Sequence, residues 1–229
     1  MHVPDGFLDA VTSTATGVLA IGGVAAALRG TKRELSERTT PLVGLCATFV
    51  FAAQMVNFPV GAGTSGHLIG GALAAVLVGP WSAILCMSVV IIVQSLLFAD
   101  GGITALGTNI TLMGLVSVAV GWACVVVLRR ALLRSIRWLP VVAGISAWAS
   151  VVASSAAFTG LYALGGTVPL PMSKVLVAMV GWHALIGLGE AVITGLVVAS
   201  VLSTRPDLVY AARPLIAART LEIRTGATS

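Results

Sequence analysis

Seven apolar runs separated by short polar or glycine-rich stretches make up most of the chain: residues 7–28, 41–58, 67–78, 81–99, 108–128, 138–164 and 175–202. Most reach the roughly 20 residues that a helix needs to cross a bilayer core of about 30 Å. The third does not, because its 12 residues, at about 1.5 Å each, make only about 18 Å of helix. The stretch before it, Pro59-Val60-Gly61-Ala62-Gly63-Thr64-Ser65-Gly66, cannot be a regular span. Irregular backbone at membrane depth survives only where it is buried in protein or lines a cavity. The pattern therefore predicts a loop that dips inward, with His67 beginning a short helix below the outer surface.

Composition agrees with immersion in lipid. Of 229 residues, 58% are hydrophobic and 9% charged, against about 25% charged in soluble domains, and the mean hydropathy is +1.05. The expected fold class is an all-α polytopic membrane bundle of seven transmembrane helices. The net charge of +5 does not point to nucleic acid, because the basic residues sit in the connections, where membrane topology places them. Arg29, Lys32, Arg33 and Arg38 fall in the first loop, Arg129, Arg130, Arg134 and Arg137 in the fifth, and Arg205, Arg213, Arg219 and Arg224 in the tail. Twelve of the 13 basic residues thus share one side, with Lys174 alone on the other. The positive-inside rule makes that side cytoplasmic, so the C-terminus is expected inside and the N-terminus outside a cytoplasmic (inner) membrane. The expected domain plan is one transmembrane unit over residues 1–202 and a cytoplasmic polar tail over 203–229. Asp5 and Asp9 precede the first basic residue, Arg29, so no cleavable signal is read. Cys46, Cys86 and Cys124 stand singly in apolar runs and read as packing.

The candidate chemistry begins at the first two residues. With the start methionine retained, which the bulk of His2 favours, the Met1 amine, the His2 amide nitrogen and the His2 imidazole can close two fused chelate rings on one cation. One in-plane position stays open. Val3-Pro4-Asp5-Gly6 reads as a tight turn that folds the terminus back. Such a nitrogen set favours late first-row ions, and a planar four-nitrogen arrangement narrows them to Ni(II), Cu(II) or low-spin Co(II). An exposed His2 without function is the alternative. His67 is the natural fourth ligand; its alternative is a buried imidazole bonded to a carbonyl. Gln54, Asn57, Thr64 and Ser65 are candidate hydrogen-bond partners for a metal-bound imidazole, or interhelical glue. His183 and Glu190, two turns apart on one helix face, suit a second site, a proton path or an inward polar seam. Asp100-Gly101-Gly102 reads as an external turn. Gly22, Gly23, Ala26 and Ala27 offer a helix face for close packing. No G-x-x-x-x-G-K-[ST] motif is present to hold ATP phosphates, so any ATP dependence must come from another subunit. A rival from a different class is an intramembrane serine protease, in which Ser65 of Gly63-Thr64-Ser65-Gly66 is the nucleophile and His183 its base.

The segments Met1-His2-Val3-Pro4-Asp5-Gly6-Phe7-Leu8, Asn57-Phe58-Pro59-Val60 with Gly63-Thr64-Ser65-Gly66-His67, Phe98-Ala99-Asp100-Gly101-Gly102-Ile103-Thr104 and Gly187-Leu188-Gly189-Glu190-Ala191 together resemble the CbiM/NikM family. These are the substrate-specific (S) components of cobalt and nickel energy-coupling-factor transporters. The resemblance runs from residue 1 to about 201, with Val3 in place of the commoner isoleucine. It implies a seven-helix, non-enzymatic subunit that captures Co²⁺ or Ni²⁺ through Met1, His2 and His67, with no bound organic cofactor. It further implies docking on a transmembrane coupling subunit driven by two cytoplasmic ATPases, usually with a small accessory membrane subunit. The small residues of the first helix would face the coupling protein. The resemblance leans to cobalt uptake for cobalamin biosynthesis, with nickel-specific uptake as the alternative.

Overall fold

The computed structural model describes residues 1–35, 39–61, 64–132 and 135–217. Each of the seven apolar runs contains a helix. Helix α1 covers Ala10–Gly30, and its N-cap Asp9 accepts the Thr12 amide at 2.7 Å. Helix α2 covers Thr40–Gln54, α3 Gly71–Val78 and α4 Pro80–Leu97. Three longer rods follow: α5 over Leu106–Ala131, α6 over Leu139–Gly165 and α7 over Met172–Thr204. The rods α5 and α7 each contain a π-helical stretch, Ile110–Val116 and Val177–Gly181.

Two findings bear on the expected fold. Among the described residues five helices, α1 and α4 to α7, are by length and composition long and apolar enough to cross a membrane. The other two are shorter, 15 residues in α2 and eight in α3, because the chain leaves α2 at Gln54 to build other structure. That structure is not wholly helical. Strands β1 (Phe58–Gly61) and β2 (Thr64–Gly66) pair antiparallel, so residues predicted as an irregular loop form a hairpin. His67 follows the hairpin and lies four residues before α3, so it does not begin that helix.

Every residue of α3 is buried. It packs against α2, α4, α5, α6 and α7, and small side chains allow the approach: a Cβ on Gly71 would stand 2.0 Å from Ser117 Oγ, and one on Gly121 would stand 2.6 Å from the Ala72 Cβ. Below α3 the chain returns to close the bundle. In the turn beyond α7, Val209, Ala211 and Ala212 are fully buried. Arg129 Nη1 donates to the Ala211 carbonyl at 3.2 Å, and Arg213 Nη1 to the Glu34 carbonyl at 3.2 Å. Glu34 is itself buried and accepts from the Trp81 and Ser82 amides at the start of α4, at 3.1 and 2.7 Å. Residues 209–213 are therefore part of the packed body, within the stretch expected to be a polar tail. Residues 218–229, and with them Arg219 and Arg224, lie outside the described residues, as do Arg38, Gly63 and Arg134. Cys46 and Cys86 are buried and Cys124 is partly buried, all as free thiols.

The N-terminus, the hairpin, the 98–105 connection and the α6–α7 connection converge on one end of the bundle. Asp9 N donates to the Gly165 carbonyl at 2.7 Å, and Thr167 N to the Phe7 carbonyl at 3.1 Å. Arg29, Arg129, Arg137 and Arg205 stand at the opposite helix ends.

Candidate metal-capture site

The first three residues are buried in the bundle, and the first five are held along their length. Asn109, buried on α5, grips Val3 twice: its Oδ1 accepts the Val3 amide at 2.7 Å and its Nδ2 donates to the Val3 carbonyl at 3.1 Å. Gly102 N donates to the same carbonyl at 2.9 Å. Asp5 Oδ1 accepts from the Thr104 amide and hydroxyl, at 2.7 and 2.5 Å. Gly102 has to be glycine, since a Cβ there would stand 2.4 Å from Asp5 N.

Met1 is buried completely. Its amine donates to the Ser65 carbonyl at 2.5 Å, with Ser65 Oγ 3.4 Å away. The next residue, His2, stacks on His67 with ring centroids 4.6 Å apart and planes at 29°. His2 Nε2 stands 3.2 Å from Gln94 Oε1, and Nδ1 stands 3.2 Å from Asp100 Oδ1. Asn57 Nδ2 donates to the other Asp100 oxygen at 2.9 Å. Ala99, at φ 52°, turns the chain so that Asp100 faces the ring. A cavity of about 280 Å³ opens over His2, lined by Asp5, Ser65, Asp100 and Gly101.

His67 is 1% exposed. Its Nδ1 lies 2.7 Å from the Leu68 carbonyl, and an imidazole nitrogen facing a carbonyl must carry the proton, so the Nε2 lone pair is free. That Nε2 is buried with no hydrogen-bond partner, an arrangement that costs about 1–3 kcal/mol and that a cation would relieve. Among the described residues no three His, Cys, Asp or Glu side chains gather closely enough to hold a metal ion. A cation here would need main-chain nitrogens beside the two imidazoles.

Burial also removes competing protons. It drives the Met1 amine from 8.0 down to about 4, against the opposing pull of the Asp100 charge. Burial, then the charge of the terminal amine, His2 and His183 hold His67 well below the ordinary imidazole value. For Asp100 burial acts upward, but hydrogen bonding and charge from His2, the terminal charge and Asn57 together hold the carboxyl below its usual value.

The structure thus gathers Met1, His2, His67 and Ser65 at one point, with Asn57 one contact away through Asp100. Thr64 is elsewhere engaged, its Oγ1 donating to the Gly61 carbonyl at 2.8 Å to close the hairpin. Gln54 Nε2 donates to the Ile69 carbonyl at 2.6 Å. His183 and Glu190 do not pair as a seam: His183 Nδ1 faces the Met179 carbonyl at 2.7 Å, whereas Glu190 accepts from the Ile69 and Gly70 amides at 2.6 and 2.8 Å. The protease reading finds no nucleophile–base pair: Ser65 Oγ has the terminal amine as its neighbour at 3.4 Å, and His183 Nε2 is buried with no hydrogen-bond partner. On α1, Gly22 is open, but Gly23 meets Leu115 within the bundle and Ala27 is fully buried.

Sequence reasoning missed Asp100, Gln94 and Asn109 as parts of the site. The latter two are polar residues inside apolar runs, and Asp100 was a turn residue only because its partner lies 98 positions earlier.

A helical membrane bundle that buries its terminal amine beside two imidazoles offers the nitrogen donors that late first-row cations prefer. Comparison with known proteins goes further: residues 2–208 match the family CbiM, cobalt uptake substrate-specific transmembrane region. The chain belongs to that family. It is 32% identical over 213 residues to the cobalt transport protein CbiM of Sorangium cellulosum, covering 91% of this chain and 94% of the relative. It is 33% identical over 225 residues to the fused nickel transport protein NikMN of Rhodobacter capsulatus, covering 91% of this chain and 63% of that longer protein. The crystal structure of a truncated transition metal transporter superposes with a TM-score of 0.82 at 29% identity, covering 89% of this chain and 99% of that one.

Proposed function

We propose that this protein is the substrate-capturing subunit of an ATP-driven importer and takes Co²⁺ or Ni²⁺ from the outer side of the cytoplasmic membrane. The ligands are the Met1 amine, the His2 amide nitrogen and imidazole, and His67 Nε2. The observation that carries this reading is the burial of the Met1 amine on Ser65 next to the unpartnered Nε2 of His67. Amine and imidazole donors suit late first-row cations, and neither of the two most buried donors has to shed a proton at neutral pH. The cavity over His2, bounded by the Asp5 and Asp100 carboxylates, gives a cation a polar approach.

The chain holds no phosphate-binding motif, so two cytoplasmic ATPases acting through a transmembrane coupling subunit supply the energy, with a small accessory membrane subunit completing the assembly. The basic loops face the cytoplasm and Met1 faces out. Cobalt for cobalamin biosynthesis is the first reading and nickel the second; the names of the relatives include both metals.

Calorimetry of Co²⁺ and Ni²⁺ on purified protein, with its native terminus and with one residue added before Met1, tests the ligand set. The addition turns the amine into an amide and leaves every side chain in place. Binding is expected to collapse in the extended form; equal binding by both forms would remove Met1 from the site. The metal bound more tightly by the native form identifies the substrate.

A further inference from the structure

We infer that Glu190 is a positioning residue for His67: from the middle of α7 its carboxylate clamps the peptide that carries the histidine, and so sets the geometry of the fourth metal ligand. This rests on the ligand set proposed above.

His67 lies on a four-residue link, 67–70, between β2 and α3, with no regular structure of its own. A link buried in a membrane protein must have its amides and carbonyls paired, and one without regular structure draws on side chains for this. Both Glu190 oxygens are used for this, Oε2 on the Ile69 amide at 2.6 Å and Oε1 on the Gly70 amide at 2.8 Å. Glu190 is 2% exposed. The space beside it is about 10 Å³, at the lower limit for a single water, so solvent has little room to replace the carboxylate. From the other side Gln54 Nε2 holds the Ile69 carbonyl at 2.6 Å. Gly70 then takes φ +82° to start α3.

The clamp reaches the imidazole through one further bond. The Leu68 carbonyl, which belongs to the peptide whose nitrogen is Ile69 N, faces His67 Nδ1 at 2.7 Å. A single peptide group therefore accepts from the imidazole at one end and donates to Glu190 at the other. Fixing that peptide fixes the ring orientation and its tautomer, and keeps Nε2 as the free lone pair. Groups that orient a metal-bound imidazole in this way typically change metal affinity 10- to 100-fold when altered. Glutamine at 190 would offer one oxygen and one NH₂ to two amide donors, so one donor would face another.

The test is Ni²⁺ and Co²⁺ binding by calorimetry, with the visible absorption of the loaded protein, for the parent chain, E190Q, H67A and the double variant. Size-exclusion profiles and thermal melts confirm folding. E190D, which keeps the charge but is one methylene too short to span both amides, is read in place of E190Q should that variant not fold. E190Q is expected to lower affinity 10- to 100-fold and shift the ligand-field bands toward those of H67A, and the double variant to bind no more weakly than H67A alone. Parent-like affinity and bands in E190Q, beside a loss in H67A, would overturn the clamp and leave the ligand set standing. An equal loss on the H67A background would also overturn it, because Glu190 would then act on stability in general. Full binding by H67A would overturn the ligand set itself, and the clamp with it.

Discussion

The Met1 amine is the residue-scale feature from which most of the chemistry follows. In a free Met-His peptide an amine near its ordinary value of 8.0 must lose a proton to bind metal throughout the neutral range. Here burial brings it to about 4, so metal binding is expected to release no proton from the amine between about pH 5 and 8. Calorimetry in buffers of different ionisation enthalpy would read this directly, and a full extra proton released at pH 7 relative to pH 8.5 would contradict it. The same shift acts on the metal-free protein with a definite sign. Between about pH 4 and 8 the unfolded chain holds a proton on the amine that the folded chain does not, so stability rises with pH across that window. Melting temperatures of the metal-free protein measured at pH 5 and pH 8 are expected to increase in that order. Ser65 takes part through its carbonyl, with its hydroxyl a distant 3.4 Å from the amine. Ser65→Ala is accordingly expected to keep Co²⁺ affinity within about threefold by calorimetry, whereas a Ser65 nucleophile would make the hydroxyl indispensable.

At the scale of elements, the amino-terminal segment is positioned by parts distant from it in sequence. Asn109 on α5 and the glycines after α4 form its cradle, and the cost of disturbing them falls on metal binding before it falls on the fold. Gly102→Ala would put a Cβ 2.4 Å from Asp5 N and 2.5 Å from Asp5 Oδ1, displacing the amino-terminal segment. The expected result is a loss of Co²⁺ affinity of about tenfold or more with an unchanged far-ultraviolet helical signal; unaltered affinity would show that the segment is held by other means. Asn109→Ala leaves the buried Val3 amide without its acceptor, a defect of about 1–3 kcal/mol that a thermal melt would register. Much of this cradle was invisible in the sequence for a definable reason. Hydrophobic periodicity reports that a segment is apolar; it does not report which distant segment supplies the partner of a single Asn or Gln within it.

At the scale of the molecule, the bundle is closed at its two ends by different devices. One end is stapled by the N-terminus across the hairpin and the connections after α4 and α6; the other is plugged under α3 by the turn at Tyr210–Ala212. An eight-residue helix cannot fill the depth of the bundle, and the buried Val209, Ala211 and Ala212 occupy the space beneath it. Truncation after Thr204 is therefore expected to lower the melting temperature by more than about 4 °C, while truncation after Ala217 should change it by less than about 2 °C. Equal melting temperatures for the two would show that the turn does not support α3.

Residue types and their spacing determined a good deal alone. Long apolar runs required membrane helices, since a continuous run of about 20 residues matches a helical span, and a helix satisfies its own backbone polar groups in hydrocarbon. The terminal Met1-His2 pair and a histidine after a glycine-rich stretch named the candidate ligands, because chelate geometry at a chain terminus is local. Tertiary structure decided what depends on distant partners. It set five long helices with two short ones, made a hairpin of residues 58–66, placed Asp100 beside His2, and put the tail turn under α3. It also separated His183 from Glu190 in role, although both stand on one helix. The physical reason is common to all of these: a buried polar group goes where it finds a partner, and that partner is chosen by packing across the bundle.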